Sequence, residues 1–224
     1  LHRLREQLGL YRPWYERYFD WMGGVVLHGD WGDSYVMGIP VSDILGRRIV
    51  HSLSLAGFAL IFGIPAAVAC GVWAGIRPDT LGDKLVSTIG MIGISLPEFV
   101  TGVILMLVLA STLNLFPPSS VMLPGESPFT RPEILVLPTL TLTGVLFAYI
   151  MRMTRANVIE VMETNYVRTA ILKGLRTRTV IFRHVIPNAM LPTISVVAMN
   201  IGWMLGGLII VDSVFSYPGL GRLV

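Results

Sequence analysis

The chain has 224 residues, 53% of them hydrophobic and 14% charged, with a mean hydropathy of +0.68. Soluble domains carry roughly 25% charge, so these proportions exclude an ordinary water-soluble globule and make lipid the solvent for much of the surface. The net charge of +3 then bears on which side of a bilayer the arginines sit, and not on nucleic acid.

In chain order, residues 1–48 form a mixed-charge segment with six arginines and six acids. Trp14, Trp21, Trp31 and neighbouring tyrosines there suit an aromatic belt, a lid or a partner surface. Gly23 and Gly24 could hinge it. A first apolar run, 49–76, contains no Asp, Glu, Lys or Arg and is long enough to cross a bilayer, which takes about 20 residues. A second run, 85–116, is too long for one simple crossing. Ser95-Leu96-Pro97-Glu98 reads as a break: Ser as N-cap, Glu three residues on and Pro in the first turn make a capping box. The spacing predicts a short helix to about 94 and a spanning helix over 96–115. Glu98 has two readings, a capping group or an intramembrane ionisable group with a functional role. Third and fourth crossings are expected over 134–151 and 189–211. In the fourth, Gly202, Gly206 and Gly207 allow close helix packing, and Pro218-Gly219 forms a tight turn after it.

The loop after the third crossing holds Arg152, Arg155, Arg168, Lys173, Arg176, Arg178 and Arg183, seven of the 17 basic residues. Positive charge in loops faces the cytoplasm. By parity the 77–84 loop is cytoplasmic, and residues 1–48, the 114–133 loop and the chain end lie outside. An external start with no apolar run ahead of it predicts a further spanning helix before residue 1, and the external end predicts another after residue 224. Cys70 is the lone cysteine and reads as a buried thiol. His2, His28, His51 and His184 are not at ligand spacing, so no metal site is expected.

Residues 157–188 repeat apolar positions at helical spacing: Val158, Val161, Met162, Tyr166, then Ala170 and Ile171. Gly174 is a helix stop. Thr177 could cap a second helix carrying Val180, Ile181 and Val185, with Pro187 and Pro192 punctuating the approach to the fourth crossing. Two short amphipathic helices hinged at Gly174 fit either an anionic lipid surface or a groove on a soluble partner.

Arg168-Thr169-Ala170, Gly174 and His184-Val185-Ile186-Pro187 have the spacing of the "EAA" loop of binding-protein-dependent ABC importer permeases, with Arg-Thr-Ala in place of Glu-Ala-Ala. Together with Lys173-Gly174-Leu175, Gly29-Asp30-Trp31-Gly32-Asp33-Ser34, Ser95-Leu96-Pro97-Glu98-Phe99 and Phe215-Ser216-Tyr217-Pro218-Gly219-Leu220-Gly221, the chain resembles the dipeptide/oligopeptide/nickel subgroup over essentially its whole length. Asp212 stands where a Glu is common. The resemblance implies an all-α, polytopic transmembrane bundle of the type I importer kind, with 1–48 as an extracytoplasmic segment and 49–224 as the transmembrane domain. It implies a multi-pass permease of the plasma membrane that moves peptides or similar solutes and has no enzyme activity or cofactor of its own. ATP would be bound by partner ATPase subunits, which agrees with the absence of a Gly-Lys-Ser/Thr loop. Tyr166, Arg168, Thr169, Ala170, Lys173, Gly174 and Leu175 would form the ATPase-coupling helix. Glu98, Asp212, Pro218 and Gly219 are candidates for pathway or gate. A second permease subunit, forming a heterodimer, and an extracytoplasmic solute-binding protein would complete the assembly.

Two other classes compete. An ion-driven transporter or channel would place charged sites near mid-membrane, and Glu98 is the lone candidate. An intramembrane enzyme would need a His-Glu-x-x-His or Gly-x-Ser-x-Gly constellation, and neither occurs.

Overall fold

The computed structural model describes residues 11–123 and 126–223; His2 lies outside them. The chain divides into two compact units, Leu1–Ile49 and Val50–Val224.

In the first unit, α1 (Trp14–Gly23) runs on as a π-helical turn, Gly24–His28. Trp14, Tyr15, Tyr18, Phe19 and Trp21 are all exposed, while Arg12 pairs with Glu16 and Asp20. The Gly29–Ser34 motif is irregular, with Gly29 and Gly32 at positive φ, and leads into a turn at residues 35–37. The Asp30 carboxylate accepts the Gly32 N–H at 2.9 Å, and Asp33 and Pro40 form an isolated antiparallel bridge. No strand occurs among the described residues.

The helices that follow are α2 (Val41–Ile76), α3 (Leu81–Ser95), α4 (Glu98–Thr112, its last turns π-helical), α5 (Glu133–Met162), α6 (Asn165–Leu172) and α7 (Thr177–Val214). Three of them, α2, α5 and α7, are long and apolar enough to cross a membrane, and the bent pair α3–α4 supplies a fourth crossing if taken as one span. Hydropathy located these crossings but not their ends. α2 begins at Val41 rather than 49, because nothing after Pro40 interrupts the helix and Asp43 suits its first turn. α5 runs on to Met162 with Thr154, Asn157 and Val158 buried beyond the apolar stretch.

The break at Leu96-Pro97 is real, and α3 and α4 are bent by 112° across it. The expected capping box is not formed. Ser95 belongs to the last turn of α3 and donates to the Met91 carbonyl at 2.8 Å, and Pro97 occupies the N-cap of α4 with no side-chain bond. A serine hydroxyl can satisfy the carbonyl four residues back as readily as a following N–H.

Lipid tails are as apolar as leucine, so helices in a bilayer associate through close packing. α2 meets α5 along small residues: a Cβ on Gly71 would come 2.6 Å from the Met151 carbonyl, and one on Gly75 2.7 Å from Val158. Leu55, Ala59, Ala67, Leu137, Leu142, Ile150 and Met151 belong to the main core. A second cluster gathers Val158, Val167, Ala170, Val180, Val185 and Ala189 at the far end of α5. Where water is the competitor, burying each such valine is worth about 1.5–3 kcal/mol, which holds α6 to the bundle.

Parity receives support from contacts within the second unit. Phe215 and Ser120, both expected outside, share a backbone bond, while Asp83 and Arg155, both expected on the cytoplasmic face, form an ion pair.

Candidate functional site

Three places gather the residues the sequence singles out. The first is the base of the bundle. α6 turns Val167 and Ala170 inward (0% and 6% exposed) and leaves Tyr166, Arg168, Thr169, Lys173, Gly174 and Leu175 exposed. The buried face thus differs from the expected one: Tyr166 and Ile171 point outward and Val167 takes their place. α6 ends in a Schellman motif. Leu175 N–H bonds the Ala170 carbonyl at 3.3 Å and Gly174 N–H the Ile171 carbonyl at 2.9 Å, with Gly174 at φ +76°. The second expected short helix is instead the first turns of α7, continuous through a π-helical stretch at Ile181–Val185 to Val214. Its N-cap is Arg176 rather than Thr177. Pro187 falls in the first turn after the π stretch, where a missing N–H is tolerated. Exposed Leu172 and Phe182 lie among Arg168, Lys173, Arg176, Arg178 and Arg183, also exposed.

Two residues that the sequence reading did not single out, Asp83 and Arg155, stiffen this base. Asp83 is 1% exposed. It accepts both arms of the Arg155 guanidinium, Nε at 2.5 Å and Nη2 at 2.6 Å, the Asp79 N–H at 2.9 Å and the Ser87 hydroxyl at 3.3 Å. The pair ties the start of α3 to α5. Asn157 donates to Thr193 at 3.1 Å and ties α5 to α7. No short-range pattern marks a pair 72 residues apart, although an acid three residues after Thr80 fits the first turn of a capped helix.

The second place is an apolar groove between α5, α7 and the α3–α4 break. It comprises two adjoining hollows of about 290 and 440 Å³ that share Val145 and Trp203. Glu98 lines one, with Gly206, Gly207 and Ile210; Ile94, Tyr149, Met199 and Asn200 line the other. Gly202 and Gly206 have nothing within 4 Å of a built Cβ, so within this chain they do not serve helix packing. Gly207 does face a neighbour, the Glu98 carboxylate.

The third place is the far end of α7, where Asp212, Pro218 and Gly219 come together. Asp212 is fully buried and accepts the Gly221 N–H at 3.0 Å; its carboxylate fills the space a Gly219 side chain would need. Pro218 is the centre of a γ-turn closed by Gly219 N–H on the Tyr217 carbonyl at 2.8 Å. This segment is strapped to α2: Tyr217 donates to the His51 carbonyl at 2.9 Å, Leu220 N–H to Ser52 at 2.9 Å, and the His51 ring lies 3.1 Å from the Pro218 carbonyl. Burial, with Asp212 beside it, pushes the Tyr217 phenol well above the usual tyrosine range, so it stays a donor. Glu98 is thus separated from the other three gate candidates and belongs to the groove. Among the described residues no group of three His, Cys, Asp or Glu is placed to hold a metal ion.

Residues 67–224 match the family described as "Binding-protein-dependent transport system inner membrane component". The chain is 34% identical over 221 residues to the probable peptide ABC transporter permease protein y4tP of Sinorhizobium fredii, covering 99% of this chain and 70% of the relative. It is 35% identical over 225 residues to the glutathione transport system permease protein GsiC of Escherichia coli K12, covering 99% and 69%. It is also 35% identical over 221 residues to the oligopeptide transport system permease protein AppB of Bacillus subtilis, covering 97% and 70%. The crystal structure of an amino acid ABC transporter with histidines superposes with a TM-score of 0.62 at 15% identity, over 81% of this chain and 76% of that one, a likeness of fold.

Proposed function

The chain belongs to the family of binding-protein-dependent transport system inner membrane components, and from that membership we infer that its cargo is a peptide or a similar small solute. It is a transmembrane permease subunit of an ATP-binding-cassette importer. The peptide, oligopeptide and glutathione transport named for its relatives supports this cargo class.

The second unit is the translocating domain, and the segment before it is extracytoplasmic, in a plasma-membrane protein with its arginine-rich base in the cytoplasm. The single observation that carries the coupling is the outer face of α6. An 8-residue helix is fixed to the bundle by Val167 and Ala170, and it presents Tyr166, Arg168 and Thr169 outward, with Lys173 and Leu175 exposed just after its end. Apolar and basic groups side by side suit a cleft on a soluble subunit better than bulk water. That subunit binds and hydrolyses ATP, and this chain has no such site of its own. A second permease subunit completes the pathway, and a solute-binding protein delivers cargo to the outer face.

In the cycle, ATP draws the two ATPase subunits together and α6 moves with them. The Asp83–Arg155 and Asn157–Thr193 links carry that movement to α3 and α7, so the crossings rock and the groove is exposed alternately to each side. Coupling of this kind requires that the two membrane conformations offer the ATPase different contacts. The test is co-purification of the full-length protein from detergent, with and without residues 164–178 scrambled. An ATPase subunit should accompany the intact protein and be lost on scrambling. If the intact protein brings down no ATPase, the coupling role of α6 fails.

A further inference from the structure

α4 starts with Glu98, and the side chain does not turn back to cap its own helix. It crosses to α7, where a Cβ built on Gly207 would come 2.6 and 2.7 Å from its two oxygens. Only glycine leaves the carboxylate that place. Among the described residues no side-chain hydrogen bond or ion pair involves it. The wall around it is apolar: Leu142, Val145, Leu146, Met204 and Ile210. Gly207 is seven residues from the end of α7, about 10 Å along the axis at 1.5 Å per residue, so the half-buried acid lies along the length of the groove and away from the end of that helix. A carboxylate held there without a partner is costly, and intramembrane acids of this sort mark solute paths.

On the reading of the chain as an importer permease, we propose that Glu98 is a cation subsite of the translocation groove that receives the ammonium group of an amine-bearing solute, such as the N-terminus of a peptide. Charge complementarity favours a single positive group. One carboxylate balances one ammonium, and among the described residues no group of three His, Cys, Asp or Glu is placed to hold a divalent metal. The adjoining hollow gives the rest of the solute its surroundings. Tyr149 and Trp203 offer aromatic faces, which also attract ammonium groups, and Asn200 offers an amide. The hollows are of the size that holds small ligands, about 300–1,000 Å³.

The test uses the full-length permease assembled with its ATPase and solute-binding partners in proteoliposomes. It follows ATP-driven uptake of trialanine and of N-acetyl-trialanine, each at a concentration that saturates the solute-binding protein. The intact complex should prefer the free amine, and Glu98→Gln should lower trialanine uptake about tenfold or more, the loss expected for one charge-assisted contact. Gly207→Ala keeps the acid but pushes it aside, and should reduce the same preference by a smaller factor. An unchanged ratio of the two peptides in both variants overturns the subsite. Loss of the second permease subunit from the Glu98→Gln complex on size exclusion also overturns it, since the acid would then belong to a subunit contact. If the intact complex hydrolyses ATP in response to its binding protein yet carries neither peptide, the peptide-import reading itself fails, a result distinct from any effect of Glu98.

Discussion

Asp83 and Glu98 are both acids in the bent pair α3–α4, and they are opposites. Asp83 at the base is saturated, with a bidentate arginine, a backbone N–H and a hydroxyl on its two oxygens. Glu98 in the groove rests on a glycine and meets no donor among the described residues. A buried charge whose bonds are complete is part of the frame, because removing any partner strands it. A charge kept without partners gives the frame nothing and has to be accounted for by what passes it.

The largest effect that could break this contrast is at the base. Arg155→Ala leaves Asp83, 1% exposed, without its counter-ion, and should lower stability by about 3–5 kcal/mol. Thermal unfolding of the detergent-purified protein measures it. Arg155→Lys keeps the charge but cannot form the two-armed contact, so it should recover only part of the loss. A melting temperature unchanged in Arg155→Ala would mean that the pair is ornamental and that saturation does not mark the frame.

A middle-sized effect belongs to Gly174, which closes α6 next to that frame. A built Cβ there meets nothing within 4 Å, so any cost is in the backbone, at φ +76°. For a β-branched residue that conformation costs roughly 1–2 kcal/mol. Gly174→Val should therefore leave the bundle folded but reshape the end of α6, so that the assembled transporter hydrolyses ATP with reduced uptake. Uptake at full rate per ATP would remove Gly174 from the coupling device.

What the sequence disclosed and what it hid follow from range. The first, third and fourth crossings, the break before Glu98 and the stop at Gly174 are local: each is written in a run of apolar residues, a proline or a glycine, and each is in place; the helix expected to span over 96–115 covers only Glu98–Thr112 and reaches the length of a crossing only together with α3. The capping box was also local and did not form, because Ser95 had a second acceptor within reach, the Met91 carbonyl. Helix ends at Val41 and Met162 were missed because hydropathy reports solvent, and a helix can continue where the solvent changes. The Asp83–Arg155 pair, the Glu98–Gly207 contact and the Tyr217–His51 strap join residues far apart in the chain. Nothing at either end of such a contact announces the other. Gly207 is the instructive case, since the sequence suggests helix packing for three glycines and the structure gives one of them to a carboxylate.

The smallest expected effect is the sharpest use of the contrast. Glu98→Gln removes a charge without removing a bond, because the carboxylate has none to lose among the described residues. The amide needs less solvation than the ionised acid, so the variant should be as stable as the parent or more so, by no more than about 1 kcal/mol. Thermal unfolding beside Asp83→Asn, which should fall well below the parent, puts the two acids on one scale. A gain or no change at 98 together with a clear loss at 83 is the pattern of a residue retained at the expense of stability for what it does in transport. A loss at 98 as large as that at 83 would mean that Glu98 is held by bonds from another chain. The groove would then be a seam between subunits and not a path for solute.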